Sequence, residues 1–175
     1  MEQKGFTAWF TGLPCCGKTT IAKKVYKKLK EKGYRVEHLD GDIIRHDLTN
    51  DLGFSKKDRE ENLKRVTFVA KLLTRNNVAV LATFVSPYRN RRNKSRKEIG
   101  NFIEIYVKCP IEICMKRDVK GMYKKALAGE IKDFTGIQDP YEEPENPDLI
   151  IHTDKETIDE SVENVLKKLQ VLKYI

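Results

Sequence analysis

Gly12-Leu13-Pro14-Cys15-Cys16-Gly17-Lys18-Thr19 fits the pattern G-x-x-x-x-G-K-S/T, the spacing at which a chain cradles a polyphosphate. Its glycines let successive backbone N–H groups turn inward toward phosphate oxygens. A helix opening at Lys18 adds its positive N-terminal end at the same point. Lys18 can reach the outer phosphates, and Thr19 can present a hydroxyl to Mg²⁺. Leu13, Pro14, Cys15 and Cys16 then contribute mainly backbone N–H groups, and Thr20 completes the nucleotide-binding run. The implied ligand is a nucleoside triphosphate with magnesium. The competing reading is a chance Gly-rich turn, and the strand before and helix after weigh against it.

A phosphate loop does not by itself separate a kinase from a motor or a switch. The third predicted strand, 78–84, ends without an acidic residue, so the usual metal-orienting Asp is missing there. The acids stand instead after the second strand, as Asp40-Gly41-Asp42. One carboxylate can orient Mg²⁺ or its waters, and the other can accept a proton from an acceptor hydroxyl. Alone, Asp-Gly-Asp is an ordinary turn; beside a phosphate loop it favours chemistry. Arg45 follows, and Arg59 and Asn62 lie three apart on one predicted helix face. Phe54 and Phe134 stand in polar surroundings. Together they suggest a second site, with guanidinium groups for an anion and aromatic faces for a base. Taken singly, each Phe reads as a core residue and each Arg as a surface ion pair.

These residues need a frame, and the hydrophobic pattern supplies one. Strands are predicted at 6–11, 35–39, 78–84, 102–107 and 149–152. Helices are predicted at 18–32, closed by Gly33, at 56–76, 91–99 with a basic exterior, from Pro110 to Arg117, and at 157–172. A short helical piece is expected at 43–48. Alternating strands and helices give an α/β fold, an open parallel sheet covered on both faces. From Asp118 to Pro147 the pattern weakens into Gly, Lys, Asp and Pro, which reads as a lid.

The 175 residues suit one domain with a sizeable core, and 39% are hydrophobic, against disorder. No apolar run approaches the roughly 18 residues of a membrane span, and the chain enters its first strand without a signal-peptide stretch. A cytoplasmic protein without a membrane partner is expected. Four cysteines without zinc spacing read as reduced, buried thiols. The 34 Lys and Arg against 26 Asp and Glu give +8, which leaves nucleic acid and small polyanionic ligands both open. Lys23, Lys24, Lys27, Lys28 and Lys30 read mostly as a solvated helix face.

The sequence resembles the adenylyl-sulfate (APS) kinases. The matching stretches are L-D-G-D-x-x-R at 39–45, L-G-F-S-x-x-D-R-x-x-N at 52–62 and S-P-Y-R at 86–89. The lid matches through R-D-V-K-G-M-Y-K-K-A at 117–126, A-G-E-I-K-x-F-T-G-I at 128–137 and D-P-Y-E at 139–142. The resemblance implies a P-loop NTPase-type three-layer α/β/α fold with a mostly parallel five-stranded sheet. It also implies transfer of the γ-phosphoryl of ATP to the 3′-hydroxyl of adenosine 5′-phosphosulfate, with Mg²⁺ as cofactor. By the same resemblance Asp42, Arg45, Phe54, Arg59, Asn62, Val85, Ser86, Lys120 and Phe134 bind APS, the two Phe sandwiching its adenine. Glu156, in the 153–156 turn, would by the same resemblance fall beside the ATP adenine. Thr19, Asp40 and Asp42 serve the metal. Lys18, Asp42 and Ser86 are the catalytic positions, Ser86 matching a phosphoserine of bacterial members. A Ser before Pro at a strand end is equally a positioning hydroxyl, and in-line transfer needs no covalent step.

A homodimer is expected from the resemblance, and no nucleic-acid partner. Ile43 stands where Asn is usual, Asp133 where Gly is common and Gln138 where Asp is common, and Cys16 replaces a smaller or hydroxylated loop residue. One rival is another small-molecule kinase on this fold, against which the paired Phe and Arg suit a nucleotide acceptor. The other is a nucleotide-dependent switch or nucleic-acid-binding ATPase, against which stands the absence of a separate binding module.

Overall fold

Strands apolar on both faces must be covered on both faces. Every residue of β1 (Phe6–Thr11) and β3 (Ala79–Thr83) is buried in the computed structural model, which describes residues 3–175. With β2 (Val36–Asp40), β4 (Phe102–Lys108) and β5 (Leu149–His152) they form one sheet in the order β2-β3-β1-β4-β5, every pair parallel. Alternation along β1 divides the core. Phe6, Ala8 and Phe10 pack with Ile21, Ala22, Val25 and Leu29 of α1 (Lys18–Glu31) and Val162, Val165 and Leu169 of α7 (Ile158–Val171). Trp9 points the other way, to Leu63, Val66 and Ala70 of α3 (Lys56–Arg75), with its ring 5.6 Å from both Phe84 and Phe102.

The chain leaves β1 toward β2 on one side and later returns to fill β4 and β5 on the other. β1 is therefore the switch point, and its C-terminal end opens a crevice suited to a ligand. The phosphate loop sits at that end.

Several elements differ in detail from the sequence expectation. α2 (Gly41–Asp47) starts two residues before 43, because the Asp40 carboxylate caps it by accepting from Asp42 N at 3.0 Å. α4 (Arg89–Ile99) starts before 91; it keeps Lys94 and Lys97 outside but buries Arg91 and Arg92. Pro110 precedes α5 (Ile111–Arg117) as its cap. The 118–147 stretch holds a short helix that no stripe announced, α6 (Met122–Leu127), whose Tyr123 and Lys124 N–H groups donate to the Asp118 carboxylate. Two lysines of the solvated α1 face also pair with α7, Lys24 with Asp159 at 2.7 Å and Lys28 with Glu163. The described residues contain no helix long and apolar enough to cross a membrane.

Candidate active site

The loop after β1 is held by close backbone contacts. A Cβ on Gly12 would lie 2.4 Å from Val107 O, so only glycine lets the loop run against β4. Gly17, at φ +107°, turns the chain into α1. Lys18 is buried, its ammonium donating to Gly12 O at 2.9 Å and Leu13 O at 2.7 Å. It therefore lies folded across the loop whose N–H groups form the cradle. Leu13, Pro14 and Cys15 are partly exposed, Cys16 is buried, and Thr20 is exposed. All four cysteines are free, and three of them are buried.

Thr19 meets one of the two acids, Asp40. Thr19 Oγ1 donates to Asp40 Oδ2 at 3.0 Å, and Thr83 Oγ1 adds a bond to the same oxygen at 3.2 Å. Burial pushes the Asp40 carboxyl upward, but the bonds from Thr19, Asp42 N and Thr83 outweigh it and hold the group below its usual value. Asp40 thus stays ionised beside the phosphate loop. Asp42 is exposed, and its carboxylate is paired with Lys120. Among the described residues no cluster of three or more His, Cys, Asp or Glu could by itself hold a metal. The oxygen set of Thr19, Asp40 and Asp42 fits Mg²⁺, which is usually held by one or two carboxylates together with substrate phosphates.

On the acceptor side Arg45 donates to Gly53 O at 2.7 Å and Leu52 O at 3.2 Å, and its guanidinium lies 4.8 Å from the Phe54 ring centroid. Burial, with Arg59 nearby, lowers the Arg45 pKa. Phe54 is 59% exposed, an apolar face without cover. Arg59 donates to Phe54 O at 2.8 Å, to Thr135 Oγ1 at 2.6 Å and to Asp133 O. One guanidinium thus joins the segment carrying Phe54 to the one carrying Phe134. Two expectations need correction. Phe134 is not in polar surroundings: it is buried against Tyr123, edge-on with centroids 5.0 Å apart. Asn62 is also buried, where its Oδ1 accepts from Thr49 Oγ1 at 2.7 Å, so it braces the loop after α2.

Ser86 is 2% exposed and sits at φ +42°. Its hydroxyl accepts from Trp9 Nε1 at 3.0 Å and donates to Thr11 Oγ1 at 3.0 Å. Thr11 in turn donates to Val85 O at 2.8 Å, so the backbone of Val85 is tied to β1. A hydroxyl enclosed in this way positions a turn. Glu156 also turns inward, its carboxylate accepting from His152 N at 2.8 Å and Asn164 Nδ2 at 2.9 Å. Its side chain is thus spent inside the turn that it closes. The turn supplies Asp154 and Lys155 to the wall of a cavity of about 700 Å³ that also reaches Leu13.

Several site residues carried no signal in isolation. Arg117 donates to Thr153 O at 2.7 Å, tying the end of α5 to the turn after β5. Tyr123 O–H donates to Pro14 O at 3.0 Å, so α6 rests on the phosphate loop. Tyr88 O–H donates to Asp139 at 2.9 Å, while Arg89 donates to Glu143 O. The S-P-Y-R and D-P-Y-E stretches therefore dock on each other, which their separate quotation as motifs could not reveal.

Residues 4–152 match the family model described as adenylylsulphate kinase. The chain is 59% identical over 174 residues to an adenylyl-sulfate kinase of Halothermothrix orenii, covering 99% of this chain and 94% of that protein. It is 55% identical over 175 residues to one of Rippkaea orientalis, covering 100% and 97%. A solved APS kinase of Mycobacterium tuberculosis, in complex with AMPPNP and APS, superimposes with a TM-score of 0.92 at 44% identity, covering 96% of this chain and 99% of that one. A gluconokinase of Sinorhizobium meliloti shares the fold, at 16% identity and a TM-score of 0.62.

Proposed function

This chain belongs to the adenylyl-sulfate kinase family, and we propose how its residues divide the work of phosphorylating adenosine 5′-phosphosulfate with ATP. ATP lies on the 12–19 loop, its phosphates against the backbone N–H groups and Lys18. Thr19 and, through water, a carboxylate of the Asp40-Gly41-Asp42 run would hold Mg²⁺. When bound, the ion neutralises charge on the β- and γ-phosphates. The 153–156 turn faces the ATP base. APS lies opposite, its phosphate and sulfate near Arg45 and Arg59 and its adenine between Phe54 and Phe134.

Asp42 takes the proton from the ribose 3′-hydroxyl as that oxygen attacks the γ-phosphorus. The new O–P bond forms as the bond to the β–γ bridging oxygen breaks, and the electron pair leaves with ADP. Nothing in this path needs a phosphoserine, which agrees with the enclosure of Ser86. Segment 118–147 acts as the lid, keeping water from the γ-phosphoryl, with Lys120 and Lys124 or Lys125 as its mobile cations.

The observation that carries the reading is the Lys120–Asp42 pair. It sets a lid cation on the carboxylate next to the Thr19–Asp40 bond, where donor and acceptor must meet. The proposal includes a homodimer, supported by the family resemblance and read directly by analytical ultracentrifugation. The catalytic test is ADP release from ATP across a panel of acceptors. Turnover is expected with APS; equal turnover with a sugar or an unsulfated nucleoside would overturn the assignment.

A further inference from the structure

Phe134 is held by a side chain that the phosphate and metal chemistry does not use. Gln138 Oε1 accepts from Phe134 N at 3.0 Å, and Gln138 Nε2 donates to Ala126 O at 3.0 Å, within the last turn of α6. The backbone closes the same turn, with the N–H groups of Ile137, Gln138 and Asp139 all directed at Phe134 O at 3.1 to 3.2 Å. Before Phe134, Asp133 adopts φ +56°, and Arg59 holds the carbonyl of that residue. The ring then meets Tyr123 of α6 at 78°. Of these ties, only Gln138 links the Phe134 backbone directly to the helix that rests on the phosphate loop.

The amide chemistry matters because one side chain must both accept and donate. A carboxylate at 138 could accept from Phe134 N but, ionised, has no proton for Ala126 O. We propose that Gln138 is a positioning residue for the acceptor nucleotide, presetting the Phe134 ring against which the APS adenine stacks. This rests on the reading that Phe134 stacks on that adenine. A preset ring removes part of the ordering cost of binding, so the effect belongs to APS affinity. The side-chain bonds of Gln138 end on Phe134 N and on the carbonyls of Ala126 and Ile131, not on the 12–19 loop. The same turn does line the cavity walled by Asp154 and Lys155, so KM for ATP is the control that separates the two substrates.

The test is steady-state kinetics on Gln138→Ala, Gln138→Glu, Phe134→Ala and the Gln138→Ala/Phe134→Ala double variant. Gln138→Ala is expected to raise KM for APS about three- to tenfold, the loss of one or two modest hydrogen bonds, with KM for ATP and kcat unchanged. Gln138→Glu, which keeps the bond from Phe134 N, falls between parent and Ala. In the Phe134→Ala background the Gln138→Ala effect vanishes, because the residue acts through the ring. Parental KM for APS in Gln138→Ala, an equal rise for ATP, or a full effect without the Phe134 ring would each overturn the positioning role. Parental KM for APS in Phe134→Ala would remove the stacking reading itself and, with it, this inference.

Discussion

Asp42 presents its carboxylate on the surface, paired with Lys120, while Ser86 keeps its hydroxyl between Trp9 and Thr11. The contrast separates two residues the sequence placed together as catalytic. Asp42→Ala is expected to lower kcat by about 10²-fold or more, the usual worth of a positioned general base, and a near-parental kcat would end that role. Ser86→Ala is expected to retain turnover and to lower the melting temperature. Its loss leaves the buried Trp9 N–H without an acceptor, at a cost of about 1 to 3 kcal/mol. Abolished turnover in a folded Ser86→Ala enzyme would restore the phosphoserine. The phosphate loop was legible because its function depends on eight contiguous residues. The enclosure of Ser86 was not, because it depends on Trp9 arriving from β1, 77 positions away in the chain.

At the scale of elements, the long amphipathic helices were readable from their apolar stripes, and the short ones were not. α6 buries only Tyr123 and Ala126, too few to make a period. In α4 the sequence KSRKE and its neighbours look uniformly polar, yet Arg92 is 1% exposed. Its guanidinium donates to Glu104 at 2.9 Å and to Ser86 O and Glu142 O, both at 2.6 Å. One buried cation thus ties the acceptor turn, β4 and the return of the 118–147 segment. Removing Arg92 leaves the buried Glu104 with only the longer contact to Arg96, at 3.5 Å, and two carbonyls without their donor, so Arg92→Met is expected to cost about 3 kcal/mol in unfolding free energy. Urea unfolding measures it, and a loss below about 1 kcal/mol would mean that the pair is not buried as described. Thr157 offers a milder case. It caps α7 in a reciprocal box with Glu160, and Thr157→Ala is expected to cost about 1 kcal/mol without changing kinetics.

For the whole molecule, the +8 charge resolves into cations gathered at the crevice, Lys18, Arg45, Arg59 and Lys120, and others spent on pairs between elements. The α1–α7 seam shows the second use and gives the acid behaviour of the fold. The hydrogen bond from Lys24 lowers the Asp159 carboxyl from its usual 3.8, and that from Lys28 lowers Glu163 from 4.5. A carboxylate depressed in the folded state contributes stability that is complete above its unfolded value. That contribution is lost as the pH falls through the folded one. Lys28 is the same pair seen from the base: its value is raised, so its contribution persists until the alkaline side of 10.5. Stability at this seam is therefore level from about pH 7 to pH 5 and falls below about 4.5, where each protonation also adds to an already positive molecule. Melting temperatures of the parent and of Asp159→Asn/Glu163→Gln, measured from pH 7 to pH 3, decide it. The double variant is expected to start slightly lower at pH 7, since exposed pairs contribute little, and to lose less on acidification. Parallel curves for the two proteins would show that the seam plays no part in acid unfolding.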